Sequence, residues 1–493
     1  MNPTELTETV TRALRRFWAG RRAVLLLDDF DHRARSLVDE LRVCGAEVGA
    51  VVARTGPGPG APRVGPGWYC SDSEGELTRP EFEAWLRDPS AGVRDWLDGL
   101  DPARAWVALG TPRTGVAEFC GRPVHGWRRP EWAAVEDKTT IDRMWEAAGV
   151  ASPPHFVAAV DELSRVASGV GRVAGMVGAG GSAGVAGGLG TDRMAGATDA
   201  AGVASGPGAD RVAGTAGGAW ADRVAEVAGA AGAAGAAGVV VAADSTRGHV
   251  GDALGLRWVP DPGRLPGVVG DFAGRAERVR VARFVDGVPC SVLGMALADG
   301  VAVFSPIEIV TLGDPATGRL LFCGSSTFWR PGAAAEDDIR GAARRAGTEL
   351  VRATGYRGLF SVDGLLTPDG FTATELNPRH ASGLGLRAAL PDFPLYLHHR
   401  AVQERLPGLD TITHADLERL VRELVAATPS ASLAVGAVRV EAVPGGPPDH
   451  RAGPACARAA AGLGEPGLRA FPLGLPSAPP LPPCEPDDER CTA

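Results

Sequence analysis

The stretch from Leu359 to Arg379, LFSVDGLLTPDGFTATELNPR, constrains the fold of this chain more than any other segment. Two runs of strand-forming residues, 359–366 and 371–376, flank the sequence Thr-Pro-Asp-Gly. In that sequence proline favours the second position of a turn, and glycine tolerates a positive φ. The pattern predicts a β-hairpin with a three-residue loop, a type I turn closed by a glycine bulge. Such a loop pairs Thr367 with Phe371.

The predicted hairpin brings oxygen-bearing side chains together on one face. The same pairing places Asp363 directly opposite Glu375, and Asn377 lies two residues further on the same face. Arg379 follows just beyond. Like charges opposite each other are unfavourable unless something neutralises them, and hard oxygen ligands at this spacing suit Mg²⁺. The alternative is a surface hairpin with incidental acidic residues.

The composition limits the kinds of partner. A chain of 493 residues exceeds one domain's usual length, and a net charge of −9 does not indicate nucleic-acid binding. No apolar run approaches the ~18 residues of a membrane span, and the N-terminus lacks the pattern of a signal peptide. The 8 cysteines are scattered without a CxxC pair, which favours reduced thiols. We therefore expect a cytoplasmic protein with small-molecule partners, without nucleic acid or membrane partners.

Lys138 is distinctive because it is the only lysine among the 50 basic residues. The excess of Ala, Gly and Arg is typical of a GC-rich coding sequence, in which arginine replaces lysine wherever the replacement is harmless. A lysine persists most readily where a compact charge on a flexible stem is needed. Lys138 is therefore a candidate functional residue, the alternative being chance survival.

The N-terminal region, residues 1–130, has the pattern of a Rossmann-like domain. An apolar run at 22–28 predicts a buried strand, 31–44 a helix, and 46–52 a second strand. This β-α-β order is typical of a parallel sheet. Because no GxGxxG sequence follows the first strand, we do not predict a dinucleotide site.

The remaining chain is predicted to form a second domain at 131–405, followed by a helix and a strand at 406–443. Within it, 168–237 is dominated by Gly and Ala and repeats short units such as ADRVAG. Such units bury too little apolar area to offset chain entropy, which predicts a disordered insertion. Residues 444–493, rich in Pro, Gly and charge, are predicted to be a disordered tail.

Two motifs carry a resemblance to a known family. The order D-x11-E-x-N-x-R of the hairpin resembles the metal-binding strand pair of the ATP-grasp superfamily of carboxylate–amine ligases. The segment EDKTTIDRMWEAAGVASPP at 136–154 resembles the sequence that leads into an ATP-grasp domain. GVPCS, FWRP and TELNPRHASGLGL resemble an actinobacterial peptide-ligase-type branch. The resemblance implies an α/β chain, with a Rossmann-like (pre-ATP-grasp) domain followed by an ATP-grasp α+β fold with a small lid subdomain.

The resemblance also implies an activity and its residues. The activity is ADP-forming and uses ATP and Mg²⁺ (or Mn²⁺) to activate an amino-acid or peptide carboxylate as an acyl phosphate, which an amine then attacks. Arg379 would clamp the transferring phosphoryl group or the substrate carboxylate. The remaining implied roles are metal binding by Asp363, Glu375 and Asn377, phosphate binding by Lys138, and adenine binding by the backbone of Arg283, Phe284 and Val285.

The sequence departs from the family where the lid should close over the phosphates. The family has a lysine at the end of a lid strand, but here that place falls near Ala242 or Ala243. Arg247 and His249 are candidate replacements in the loop that follows. Two alternatives therefore remain open: another ATP-grasp chemistry, such as a kinase or thiol ligase, and a degenerate, non-catalytic ATP-binding protein.

Two further expectations concern the strands around the implied nucleotide site. The run 279–285 predicts a strand with outward-facing arginines that turns at Asp286-Gly287 and pairs with 289–295. Glu308 stands between two isoleucines and is expected to face either solvent or the nucleotide site.

Overall fold

The computed structural model describes residues 2–162, 227, 238–245, 255–261, 264–313, 317–380, 386, 390–435, 438–440 and 469–470. The predicted disordered insertion and tail therefore lie outside the described residues, apart from Val227 and 469–470. Arg247 and His249 also lie outside them. No helix in the described ranges is both long and apolar enough to cross a membrane.

The N-terminal region forms the predicted parallel sheet. Four strands lie in the order β3-β2-β1-β4, and each neighbouring pair is parallel. The elements are α1 (Pro3–Trp18), β1 (Arg22–Leu27), α2 (Ala34–Val43), β2 (Glu47–Ala53), β3 (Gly67–Tyr69), α3 (Cys70–Ser73), α4 (Arg79–Arg87), α5 (Ala91–Leu100) and β4 (Val107–Gly110). Strands β1 and β4 are almost wholly buried, and their sequences are accordingly almost continuously apolar.

A small antiparallel sheet follows, which we call the lid sheet. It has four strands in the order β7-β10-β8-β9, and Val241, Val279 and Val281 are buried in its own apolar core. The elements from the N-terminal region through the lid sheet are β5 (Glu118–Phe119), β6 (Arg122–Pro123), α6 (Pro130–Ala134), α7 (Asp142–Ala148), β7 (His155–Ala159), β8 (Val239–Ala243), β9 (Leu256–Val259), α8 (Leu265–Gly270) and β10 (Arg278–Arg283).

A large antiparallel sheet completes the fold. Its main path is β16-β15-β11-β13-β14-β17-β18, with β12 beside β11 and β19 beside β13. The long helix α9 packs across β11 and β15 and ends at Gly355, whose φ of 65° suits a glycine. The elements are β11 (Val288–Ala296), β12 (Val301–Val303), β13 (Ile307–Gly313), β14 (Leu320–Ser326), α9 (Ala333–Thr354), β15 (Gly358–Thr367), β16 (Gly370–Asn377), α10 (Leu395–Gln403), α11 (His414–Ala427), β17 (Ala431–Val435), β18 (Val438–Val440) and β19 (Arg469–Ala470).

One apolar core fixes the N-terminal sheet against the large sheet. It contains Leu25 of β1, Leu293 of β11 and Leu397 of α10. A polar contact adds to it, because the backbone N–H of Gly126 donates to Glu404 Oε1 at 2.9 Å. The loops at the carboxyl end of the N-terminal sheet are thereby held next to the large sheet. The predicted α/β fold class, with its small lid sheet, is confirmed.

The predicted hairpin between 279–285 and 289–295 is wrong. Strand β10 pairs with β7 and β8 in the lid sheet, whereas β11 pairs with β15 and β13 in the large sheet. Every residue of β11 is buried, as expected for a central strand with neighbours on both sides. The segment 284–287 is therefore a crossover from one sheet to the other rather than a turn.

Candidate active site

The β15–β16 hairpin has the predicted carboxylate pair but a different turn. Asp363 pairs directly with Glu375, which confirms the expected register at this position. The predicted pairing of Thr367 with Phe371 is wrong, because Thr367 pairs with Gly370 and leaves a two-residue loop. Gly370 takes a φ of 118°, a conformation that L side chains rarely adopt.

A β-bulge restores the register between the turn and the carboxylates. The shift lies between Asp363 and Gly364, so that Thr374 on β16 has no partner in the ladder. The Thr374 hydroxyl donates to the backbone carbonyl of Asp363 at 3.1 Å. The loop is one residue shorter than predicted and the bulge adds one residue, so the two errors cancel. Bulges also bend a strand and redirect its side chains.

Asp363 is held by two donors. Ser291 Oγ on the neighbouring strand donates to Asp363 Oδ1 at 2.6 Å, and Asn377 Nδ2 donates to Oδ2 at 3.1 Å. Burial, and then the charge of Glu375, raise the pKa of Asp363 to about 6. A nearby cation would stabilise the charged form of a carboxylate in this environment.

Lys138 supplies one such cation. Its Nζ lies 2.9 Å from Glu375 Oε2, and its side chain is 15% exposed. Lys138 precedes the next helix, because α7 begins only at Asp142. Lys138 lies instead in a turn stabilised by Asp137, whose Oδ1 accepts from the Thr139 backbone N–H at 2.8 Å.

Arg379 is anchored at two points beside the predicted metal face, which consists of Asp363, Glu375 and Asn377. Its Nη2 donates to Asn377 Oδ1 at 2.8 Å, and its Nε donates to Glu136 Oε1 at 3.1 Å. Burial lowers the pKa of Arg379, but the carboxylates of Glu136, Glu375 and Asp363 outweigh burial and raise it. Arg379 is therefore a fixed, permanently charged guanidinium.

The residues implied by the sequence meet in one cavity of about 440 Å³ between the lid sheet and the large sheet. They come from separate parts of the chain: the turn before α7, the crossover after β10, and the β15–β16 hairpin with the residues just beyond it. Those that line the cavity are Lys138, Arg283, Phe284, Val285, Asp363, Glu375, Asn377 and Arg379.

Strands β13 and β14 give the cavity an apolar wall. Ile307, Ile309 and Phe322 line it, and Phe322 is 53% exposed despite its size. Both expectations for Glu308 are wrong. It is fully buried and, because side chains alternate along a strand, lies on the side opposite the two isoleucines.

Arg280 was missed by sequence reasoning. It lies on β10 directly opposite Ala242 of β8, both side chains line the cavity, and Arg280 is buried. The expectation that the arginines of this strand face outward is therefore wrong for Arg280. Its Nε and Nη2 donate to Asp142 at 2.6 and 2.7 Å. The period-two pattern alone does not show which face of a lid strand is covered.

Arg113, on the loop after β4, brings the N-terminal region to the same cavity. Nearby, burial raises the pKa values of Asp28 and Glu83, while the charge of Arg113 lowers both. A sequence signal was available, because loops at the carboxyl ends of parallel strands commonly bind ligands. The Ser291 contact had no comparable signal.

The donor set suits a metal shared with a ligand. Within the described ranges, no group of three or more His, Cys, Asp or Glu side chains is arranged to hold a metal ion. The set here is two carboxylates, Asp363 and Glu375, with the amide of Asn377 beside them. Mg²⁺ commonly uses one or two carboxylates and completes its coordination with phosphate oxygens and water. The residues present therefore fit Mg²⁺ or Mn²⁺ bound together with a nucleotide.

No family model and no curated protein matches the chain, but solved structures do. Carboxyaminoimidazole ribonucleotide synthase from Aspergillus clavatus, complexed with ATP, is 14% identical with a TM-score of 0.45, over 85% of this chain and 82% of that one. L-amino acid ligase from Bacillus licheniformis is 11% identical with a TM-score of 0.49, over 85% and 80%. Biotin carboxylase from Campylobacter jejuni is 11% identical with a TM-score of 0.46, over 80% and 72%.

Proposed function

We propose that this chain is an ATP-dependent ligase of the ATP-grasp superfamily, which activates a carboxylate as an acyl phosphate and joins it to an amine. The observation that carries the proposal is the single cavity lined by the residues that the motifs singled out, from Lys138 to Arg379. These residues lie in distant segments of the chain, so their convergence is independent of the motif spacing. A surface hairpin with incidental acidic residues does not account for it.

Asp363, Glu375 and Asn377 would hold Mg²⁺ or Mn²⁺. The metal supplies charge neutralisation to the phosphates of ATP. Asp363 and Glu375 are directly opposed on the sheet, and burial disfavours the charge on Asp363. Both features give this face affinity for a cation. In keeping with this, the ammonium of Lys138 forms an ion pair with Glu375.

Lys138 and Arg280 would bind the phosphate oxygens. Both cations line the cavity, one from the turn before α7 and the other from the lid sheet. The family's lysine falls near Ala242 or Ala243, and Arg280 lies directly opposite Ala242, so we assign Arg280 the lid-cation role. Asp142 occupies Nε and Nη2 of the guanidinium, and the fork retains further N–H donors.

The adenine would lie against the crossover between the sheets. Arg283, Phe284 and Val285 line the cavity there, and we propose that their backbone groups bind the adenine. The apolar wall with Ile309 and Phe322 suits a flat aromatic ring.

Arg379 would bind the transferring phosphoryl group or the substrate carboxylate, a task suited to a planar guanidinium. In the first step a carboxylate oxygen attacks the γ-phosphorus and ADP leaves. In the second, the amine nitrogen attacks the acyl carbon, phosphate leaves, and the amine loses a proton. No side-chain nucleophile is required, because positioning and electrostatic stabilisation suffice.

The proposed substrates are small molecules, an amino-acid or peptide carboxylate and an amine. Arg113 of the proposed N-terminal domain (1–130) lines the same cavity, and its positive charge suits a substrate carboxylate. We place the activity in the cytoplasm, where ATP is present and free thiols such as Cys120 stay reduced.

Incubating the purified full chain with ATP, Mg²⁺ and pools of amino acids or dipeptides tests this function. We expect release of ADP and phosphate together with a condensed product detected by mass. Glu375→Ala should abolish turnover, whereas Glu349→Ala, which alters a Glu–Arg pair on α9 outside the cavity, should not. A phosphorylated or thiol-containing product would identify a different chemistry. A wild-type protein that does not bind ATP, or turnover untouched by Glu375→Ala, would overturn the proposal.

A further inference from the structure

Glu136 is a buried carboxylate shared by two guanidinium groups. Its side chain is 3% exposed. Oε1 accepts from Arg379 Nε at 3.1 Å and lies 2.8 Å from Arg128 Nη2. Arg379 lies beside the metal face, whereas Arg128 lies before α6, near the end of the N-terminal region. One carboxylate oxygen therefore connects two parts of the fold.

A chain of hydrogen bonds runs from this carboxylate to the metal face. Arg379 donates to Asn377 Oδ1 at 2.8 Å, and Asn377 donates to Asp363 Oδ2 at 3.1 Å. The guanidinium is thus held between two acceptors, Glu136 on one side and Asn377 on the other. Two fixed acceptors define the plane of the group, which a single contact does not.

At its other end, this series of polar contacts reaches the loop that carries Arg113. The backbone N–H of Arg128 donates to the carbonyl of Thr114 at 2.8 Å. Arg128 is itself buried, and its Nε has no acceptor among the described residues. Glu136 lies within ion-pair distance of Arg128, so it compensates the charge of this cation as well as contacting Arg379.

We propose that Glu136 is a positioning residue for Arg379. It fixes the plane of the guanidinium and, through Asn377, the orientation of Asp363. The inference rests on the proposed function, because Arg379 and Asp363 matter only if nucleotide and substrate bind beside them. A merely structural role is the competing explanation, in which Glu136 only compensates the buried charge of Arg128.

Glu136→Gln is the first test, with the full chain and three measurements: thermal unfolding, Mg²⁺-dependent ADP affinity by calorimetry, and kcat. Loss of a residue that orients metal-site groups typically costs about 10- to 100-fold in metal affinity or activity. We expect a loss of that size in Mg²⁺-dependent ADP affinity and in kcat. The matched control is Glu349→Gln, since Glu349 also pairs with an arginine, at 2.6 Å, but lies outside the cavity. It should leave both values unchanged.

A double variant separates positioning from charge compensation and covers a Glu136→Gln protein that folds poorly. In Arg128→Gln/Glu136→Gln the buried cation is removed together with its anion. Positioning predicts that thermal stability recovers while ADP affinity and kcat stay low, because a neutral amide oxygen holds the Arg379 guanidinium less firmly than a carboxylate does.

The outcomes distinguish the two proposals. A double variant with wild-type kcat and ADP affinity would show that Glu136 is structural only. A Glu136→Gln protein that binds and turns over like the wild type would also overturn the inference, while leaving the ligase proposal standing. A wild-type protein that binds no nucleotide would overturn the ligase proposal, and the positioning role with it.

Discussion

The ammonium of Lys138 lies 2.9 Å from Oε2 of Glu375, so the chain's single lysine meets a carboxylate of the predicted metal face. In the proposed complex Lys138 exchanges this contact for a phosphate oxygen. A hydrogen bond to a charged group contributes roughly 1.5–3 kcal/mol, which corresponds to about 10- to 100-fold in affinity. Lys138→Ala should weaken binding of Mg²⁺–ADP by that factor in calorimetric titrations.

Lys138→Arg provides the control for charge alone. A guanidinium is planar and presents its donors in a fixed fork, so it does not replace an ammonium at a site shaped for a point charge. We expect Lys138→Arg to recover only part of the lost affinity. Wild-type affinity in Lys138→Ala would remove Lys138 from the phosphate site.

The raised pKa of Asp363 makes apo stability depend on pH. Its folded pKa of about 6 exceeds the ordinary 3.8, so the folded state holds the proton more tightly than the unfolded state. The associated stability is fully present below pH 3.8 and is lost as the pH rises through about 6. Asp363→Asn should therefore raise the apo melting temperature relative to wild type more at pH 7.5 than at pH 4.

A bound cation should offset the loss of stability that accompanies ionisation of Asp363. Because protons compete with metal for Asp363, Mg²⁺ or Mn²⁺ should raise the melting temperature of the wild type more at pH 7.5 than at pH 5. Asp363→Asn should lose most of that metal response. An equal metal response in the two proteins would contradict the assignment of Asp363 as a ligand.

The sequence was sufficient to predict the pairing of the two carboxylates, but not the path of the backbone around them. Asp363 and Glu375 are opposite each other as predicted, although the turn is shorter and a bulge at Thr374 compensates for it. The bulge falls at Thr374 and Glu375, two consecutive polar residues that interrupt the alternation of β16. The pairing of the carboxylates is unaffected, because the shorter turn compensates for the bulge. Spacing therefore predicted the site, and tertiary packing determined the turn.

The other errors share one cause. Whether a strand pairs with its neighbour in sequence or crosses to another sheet depends on burial of both faces, and local sequence does not report this. The 284–287 crossover and the inward orientation of Arg280 follow from the packing of the lid sheet over the large sheet. Glu308 is buried on the other face of the large sheet, away from the cavity. Composition singled out Lys138, because a rare residue type carries information that a common one does not.

Arg280 should be replaceable by a lysine on the neighbouring strand. Arg280→Gln removes the proposed lid cation and should weaken Mg²⁺–ADP binding about tenfold or more, by the same arithmetic as for Lys138. Ala242 faces the cavity directly opposite Arg280, so Ala242→Lys in that background should restore part of the affinity. If the double variant binds no better than Arg280→Gln, the phosphate role of Arg280 is wrong, and its pair with Asp142 is structural.

Phe322 should contribute to binding and hardly to stability. Its side chain lines the cavity wall while remaining 53% exposed in the ligand-free protein. Because an exposed ring buries little area on folding, Phe322→Ala should change the melting temperature by no more than a typical surface substitution. Covering the ring with adenine would bury it on binding. Full burial of a large apolar side chain contributes ~1.5–3 kcal/mol, and about half of that applies here, so ADP affinity should fall by about 4- to 12-fold. Val43→Ala is the matched control, since Val43 is 48% exposed on α2 and does not line the cavity. Calorimetric affinities of the two variants for Mg²⁺–ADP decide the matter: equal, wild-type-like values would place the adenine elsewhere.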